Sequence, residues 1–273
     1  MNIKQQQKGF SLVEMMISMV LGILLLLATS VVYLSSQRSS SNRTQYASME
    51  DNARSALEIM TRAIEHTGYT STNSVPLDDR FITKSVVAAN CGGGKKNVLK
   101  TSLFGVVSNG VSGATDSIGV VYVGDSSFNR DCTGKQLPTA CQVGGVGTVD
   151  ASKIYNYFSV ATNTAGVPVL NCAGSNNLTT VEVAEGVENL QVLYGVDNNQ
   201  DNRVDQYVNA DKVSSWNHVI SVQLAVLIRS LRKVKNKAEV KKYKLLDNQI
   251  ITTNDRYQRA VFTSTVRLRN VQL

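Results

Sequence analysis

The chain is poor in the side chains that carry most enzyme chemistry. Its 273 residues include two histidines, His66 and His218, and neither has a second histidine or a cysteine at ligand spacing. Zinc hydrolysis and Cys–His nucleophilic catalysis therefore have little material. Three prolines leave no proline-rich linker or collagen-like stretch, and the 19 glycines follow no fixed period. No repeat of solenoid length is present. The glycine-rich run Cys91-Gly92-Gly93-Gly94-Lys95-Lys96 lacks the first glycine of a phosphate-binding loop and has no Ser or Thr after the lysine. In Gly110-Val111-Ser112-Gly113 the second glycine comes one residue too early for a nucleophile elbow. The expectation is a protein that is not an enzyme and requires no cofactor for a reaction.

A 42% hydrophobic content nevertheless leaves room for a real core. Charge is concentrated rather than spread. Residues 229–244 hold eight basic side chains against the single Glu239, which equals the whole formal charge of +7. The remainder of the chain is neutral, so a protein coated in positive charge is disfavoured. The segment follows a strand-like run that ends near Ile228 and is expected as an exposed hairpin arm. It reads either as a solvated surface or as a contact for acidic partner proteins, anionic lipid headgroups or DNA, with only Tyr243 to offer base stacking.

The amino terminus is organised for a membrane. Residues 1–9 are polar and carry Lys4 and Lys8, and residues 15–34 run for twenty positions without a charge. A helix needs roughly 20 apolar residues to cross the hydrocarbon core. The lysines place the short end in the cytoplasm and send the chain beyond Leu34 across the membrane. Glu14 interrupts the apolar stretch that begins at Phe10, and a carboxylate at that depth costs at least ~2.5 kcal/mol unless it is paired.

Lys8-Gly9-Phe10-Ser11-Leu12-Val13-Glu14 resembles the prepilin signature of type IV pilins and type II secretion pseudopilins. The resemblance implies cleavage between Gly9 and Phe10 by prepilin peptidase and N-methylation of the new Phe10 amine. It also gives Glu14 a partner, the Phe10 amine of a neighbouring subunit, which makes Glu14 a residue that sets subunit registry. The implied location is the inner membrane for the precursor, with the head in the periplasm of a Gram-negative bacterium, and then the pilus on the cell surface.

Beyond the apolar run, Met49, Ala53, Ala56, Leu57, Met60, Ala63 and Ile64 recur at spacings of three and four, one helical face. Glu50, Arg54, Glu58 and Arg62 stand at intervals of four and can pair along the opposite side, and Gly68 is a stop signal. These patterns predict one helix from Phe10 to His66, roughly 85 Å long at about 1.5 Å per residue. From residue 70 the period changes to that of strands, at 117–123, 153–161, 167–171, 187–194, 218–228 and 259–269. The expected fold is α+β: a long amino-terminal helix, half transmembrane and half amphipathic, packed on a mostly antiparallel sheet. The expected organisation is a leader at 1–9, a transmembrane or filament-core helix at 10–34, its amphipathic continuation at 35–67 and a β-rich head at 68–273. Residues 70–114 read as an irregular, loop-rich insertion.

The head narrows the resemblance. Asp131-Cys132-Thr133-Gly134, a turn at Leu170-Asn171-Cys172, the run from Gly186 through Val187, Glu188 and Asn189 to Tyr194-Gly195-Val196-Asp197, Trp216 and the closing Arg267-Leu268-Arg269-Asn270 are similar to the PilW family of minor pilins. Asp51-Asn52-Ala53-Arg54 and Thr67-Gly68-Tyr69 on the helix agree with it. The resemblance implies a type IV pilin-like fold and a low-abundance subunit acting with other minor pilins, the major pilin and a tip adhesin to start pilus assembly. Motility, adhesion and DNA uptake are the processes such a pilus serves. A minor pseudopilin of a type II secretion system and a pilus-borne DNA-binding subunit are the alternatives.

Four cysteines, Cys91, Cys132, Cys141 and Cys172, lie beyond the membrane segment, where an oxidising compartment favours two disulfides. Spacing leaves three connectivities open, including a local Cys132–Cys141 bridge. The family resemblance falls on Cys132 and Cys172 and implies that pair, leaving Cys91 with Cys141. Finally, Asp197, Asn199, Asp201 and Asp205 stand at positions 1, 3, 5 and 9 of a calcium-type loop. Asn202 stands where glycine usually makes the turn, and Val208 where a bidentate glutamate closes the site. A turn-rich hairpin loop without a cation is the other reading of these residues.

Overall fold

The computed structural model describes residues 11–70, 80–84, 90–92, 95–96, 107–110, 114–144, 149–175, 179–247 and 250–271. Two compact units result, Met1–Gln45 and Tyr46–Leu273. One helix, α1 (Leu12–Glu65), supplies the described residues of the first unit after Ser11 and opens the second. Its start is capped: Ser11 stands just before the first turn, and Glu14 accepts a hydrogen bond from the Ser11 amide at 3.4 Å. Ser-x-x-Glu is a capping-box spacing, legible in the sequence once the helix start is known.

In the first unit the apolar side chains of α1 are exposed, Leu12, Met15, Leu25 and Val32 among them. The stretch is long and apolar enough to cross a membrane. In the second unit the same helix is amphipathic. Met49, Ala53, Ala56, Met60, Ala63 and Ile64 are buried, while Arg54 pairs with Glu50 at 3.7 Å and Arg62 with Glu58 on the exposed side. The second half of the helix thus contributes its buried stripe to the core of the second unit.

The helix stops where predicted. Gly68 takes φ +74°, and its amide donates to the Val121 carbonyl at 2.9 Å. A Cβ at Gly68 would stand 2.8 Å from the Arg80 side chain, so both the conformation and the space call for glycine.

The head is built from antiparallel strands. Short strands β1 (Asn90–Gly92) and β2 (Lys95–Lys96) pair with each other. The first sheet runs in the order β3 (Ile118–Val123), β4 (Lys153–Thr162), β5 (Pro168–Gly174) and β6 (Val181–Glu185). The second runs β12 (Arg259–Arg267), β9 (Val219–Arg229), β7 (Val187–Val196) and β8 (Gln206–Val208). A hairpin of β10 (Glu239–Tyr243) and β11 (Ile251–Asp255) forms its own two-stranded ladder, paired with neither sheet. Among the described residues the single sheet expected from sequence is thus two four-stranded sheets and two two-stranded ones. The polar strands β6 and β8 carried too little alternation to be seen.

Gly186 is where the chain passes from one sheet to the other. Its amide donates to the Pro168 carbonyl on β5 at 2.7 Å, and its carbonyl accepts from the Arg229 amide on β9 at 2.8 Å. It takes φ +82°, and a Cβ would come within 2.6 Å of the Arg229 oxygen.

Both sheets and the helix share one core. Ile118, Val120, Phe158 and Leu170 from the first sheet meet Leu190, Val192, Val222, Leu224 and Val226 from the second around Met60 and Ile64. Side chains alternate across a strand, so the buried set Ile220, Val222, Leu224, Val226 and Ile228 occupies one face of β9. Its other face is also covered, since Ala225 and Leu227 pack under Leu245.

Two sequence readings of the head are corrected. Leu170-Asn171-Cys172 is no turn but lies within β5, where Leu170 pairs with Val160 and Cys172 with Phe158. A core leucine and a buried cysteine hold the segment in register despite its asparagine. The insertion at 70–114 is also more than a loop. Phe81 bridges to Val120, the Ile82 amide donates to Gly119, and Arg80, Phe81, Ile82 and Val107 are buried.

Candidate assembly interface

The predicted processing residues Gly9 and Phe10, with Lys4 and Lys8, lie outside the described residues. Glu14 is described. It sits exposed in the first turn of α1, its carboxylate turned to the helix start. An anionic group at a helix amino terminus is favoured by the exposed amides there.

The head carries the rest of the predicted constellation. Cys132 and Cys172 form a disulfide with a Cα–Cα distance of 6.3 Å across a sequence separation of 40. Closing such a separation stabilises by roughly 4 kcal/mol through the unfolded chain. The bridge ties a tight turn to β5. Asp131 Oδ1 accepts from the Thr133 amide at 3.0 Å and the Thr133 hydroxyl at 2.6 Å, and the Cys132 amide donates to Asn156 Oδ1 at 2.8 Å. Cys141 is also disulfide-bonded. The Cys91 side chain, its expected partner, lies outside the described side chains.

The loop after β7 is held by its own backbone. Asp197 is buried and accepts from the amides of Gln200 at 2.7 Å and Asn202 at 2.8 Å. Asn199 accepts from Asp201, Asp201 from Arg203, and Asp205 from Asn198. Gln200 and Asn202 take φ +61° and +69°, the left-handed conformation expected of Asn202 in place of glycine. Among the described residues no group of three or more His, Cys, Asp or Glu is gathered to hold a metal.

The basic segment folds as the hairpin β10–β11, but not as a free arm. Tyr243, Leu245 and Ile251 cover Ala225 and Leu227 on the outer face of β9. Its charges divide. Lys235 and Lys241 lie near Glu239 at 3.1 and 3.9 Å, whereas Lys233, Lys237, Lys242 and Lys244 are exposed.

Trp216, marked in the sequence by the family resemblance, sits among groups that the sequence did not mark. Trp216 packs edge-on against Tyr194 at 4.8 Å and tilted against Phe81 at 5.2 Å. Arg80 donates beside them to the carbonyls of Val219, Trp216 and Asn217. Asp116 accepts from the Gly110 amide at 2.6 Å and the Val192 amide at 2.7 Å, tying the segment before β3 to β7. Burial raises its pKa to about 6, partly opposed by those two bonds. No local pattern marks a lone aspartate in a loop, so nothing in the sequence could have singled it out.

Residues 157–270 match the family model described as Type IV Pilus-assembly protein W, and residues 4–30 match the prokaryotic N-terminal methylation motif. Over residues 157–270, 114 of its 273, the chain is similar to the PilW family. The two matches fit a membrane-anchored pilin: the methylation motif leads into the apolar half of α1, and the PilW match runs from β4 past the end of β12. The type IV-like pilin TTHA1219 from Thermus thermophilus is similar at 14% identity, with a TM-score of 0.41, over 82% of this chain and 98% of that one. Comparison with the curated proteins finds no match. The PilW match includes Cys172, Gly186, Trp216 and the closing Arg267-Leu268-Arg269-Asn270, and Cys132 stands before it.

Proposed function

We propose that this chain is a minor pilin that helps to initiate type IV pilus assembly. The observation that carries the reading is the joining, on one chain, of a methylation motif at 4–30 to a PilW match at 157–270. In this reading prepilin peptidase cuts between Gly9 and Phe10, and the Phe10 amine is methylated. The precursor waits in the inner membrane with its head in the periplasm. The exposed apolar half of α1 then leaves lipid for a bundle of like helices contributed by other minor pilins and the major pilin, below a tip adhesin. Glu14 pairs there with the Phe10 amine of the adjacent subunit, two charges cancelling in a medium where neither is tolerated alone. The PilW match favours this over a type II secretion pseudopilin, which has the same amino-terminal logic.

The test is a count of surface pili by electron microscopy in a deletion strain, with and without the gene restored. Loss of pili that complementation reverses is the expected result. Unchanged pili together with lost export of hydrolases would move the assignment to secretion.

A further inference from the structure

We propose that a cleft beside Arg229 binds a carboxylate carried on another polypeptide, the side chain of an Asp or Glu. The inference draws on the assembly reading for the source of the carboxylate, not for the site itself. Arg229 ends β9, where the β10–β11 hairpin folds back. Its guanidinium stands over the Tyr257 ring at 4.2 Å from the centroid, with the side chain 15% exposed. Such stacking fixes the plane of the guanidinium and leaves its edge to make hydrogen bonds.

Two acids lie nearby, and both are already engaged by Arg259. Arg259 donates to both oxygens of Glu188, from Nη2 at 2.9 Å and from Nε, and to both oxygens of Asp255 at 2.7 Å. Burial works against the charge on Arg259, but the bonds to Asp255 and Glu188 outweigh it and hold its pKa above the ordinary arginine range. Arg229 keeps only a long approach, 3.6 Å from Nε to Glu188 Oε1, and that buried Nε has no hydrogen-bond partner among the described residues. A buried donor without a partner is uncommon and costly. Lys233 adds a further positive charge 5.9 Å from the same tyrosine ring. The cations Arg229, Arg259 and Lys233 thus exceed the anions Glu188 and Asp255 by one.

Over this arrangement opens a cleft of about 410 Å³, with Thr162 and Thr253 among its walls and Leu227 and Ile251 as apolar surface. That is room for one side chain and its flanking backbone. The excess of one positive charge matches a monoanion, and a planar guanidinium edge matches the two oxygens of a carboxylate. A phosphate dianion fits worse, because Glu188 lines the same cleft.

The experiment uses the purified full-length chain in detergent micelles and follows the Arg229 Nε–H resonance by nitrogen-15 NMR. The probes are N-acetylglutamate amide, its uncharged analogue N-acetylglutamine amide, and inorganic phosphate. A saturable shift with the glutamate probe is expected, with binding at least about tenfold weaker for the glutamine probe, which corresponds to ~1.4 kcal/mol. Arg229→Lys keeps the charge but loses the fork and, followed through the backbone amide resonance of Thr253 in the same cleft, should weaken binding several-fold. Arg267→Gln, on the far end of β12, should change nothing. An equal response to the glutamine probe, equal competition by phosphate, or full binding by Arg229→Lys would each overturn the proposal. None of these readouts depends on piliation, so the site and the assembly role can fail separately.

Discussion

The two halves of α1 are one helix under two different solvents. Up to residue 45 its apolar side chains surround the axis and almost none is covered, whereas from Met49 to Ile64 only one stripe is apolar and that stripe is buried. A helix apolar all round has to be buried by lipid or by other helices, while an amphipathic one is satisfied by its own chain. The first half is therefore built for partners and the second for the head. Substitutions should separate along the same line, with assembly lost by changes in one half and stability lost by changes in the other.

The sharpest break is Glu14→Ala. It should leave the thermal unfolding of the head and the cleavage after Gly9 unaltered, yet abolish incorporation into pili, read by immunoblot of sheared pili. Normal incorporation would remove the charge-pairing argument from the anchor half.

Replacing both Cys132 and Cys172 by serine should do the reverse. A loss of about 2–5 kcal/mol in head stability is expected, measured by urea unfolding with membrane insertion intact. A smaller loss would mean that the unfolded chain is already compact around that turn.

Asp116 gives the head a pH dependence. Its folded pKa of about 6 is above the ordinary 3.8, so the folded state holds the proton more tightly than the unfolded one. That contribution is complete below the ordinary value and is lost as pH rises toward 6, by at most about 3 kcal/mol. The wild-type minus Asp116→Asn difference in unfolding free energy, followed from about pH 4 to about pH 6, should show that slope. A flat difference would mean that the Gly110 and Val192 amides hold the carboxylate ionised throughout.

The smallest effect is expected at Tyr194. Its hydroxyl is buried with no hydrogen-bond partner among the described residues. Tyr194→Phe removes that oxygen while keeping the ring against Trp216 and Phe81, and should change stability by less than about 1 kcal/mol, in the stabilising direction if at all. A marked destabilisation by calorimetry would show that the hydroxyl has a partner.

The sequence by itself determined what depends on short range. The uncharged run, the spacing of Met49 to Ile64, the salt-bridging ladder from Glu50 to Arg62 and the stop at Gly68 are all properties of neighbours within a turn or two of helix, and a periodic pattern carries them openly. The long strands β3, β4, β7, β9 and β12 were legible for the same reason. The tertiary structure alone decided which surfaces meet. It split the strands into two sheets at Gly186, drew Arg80 and Phe81 from an apparent loop into the core, turned the acids of residues 197–205 onto their own backbone and laid the basic hairpin over β9. Each outcome depends on groups far apart in the chain, such as Gly186 against Arg229 or Asp116 against Val192, whose attraction exists only after the fold brings them together.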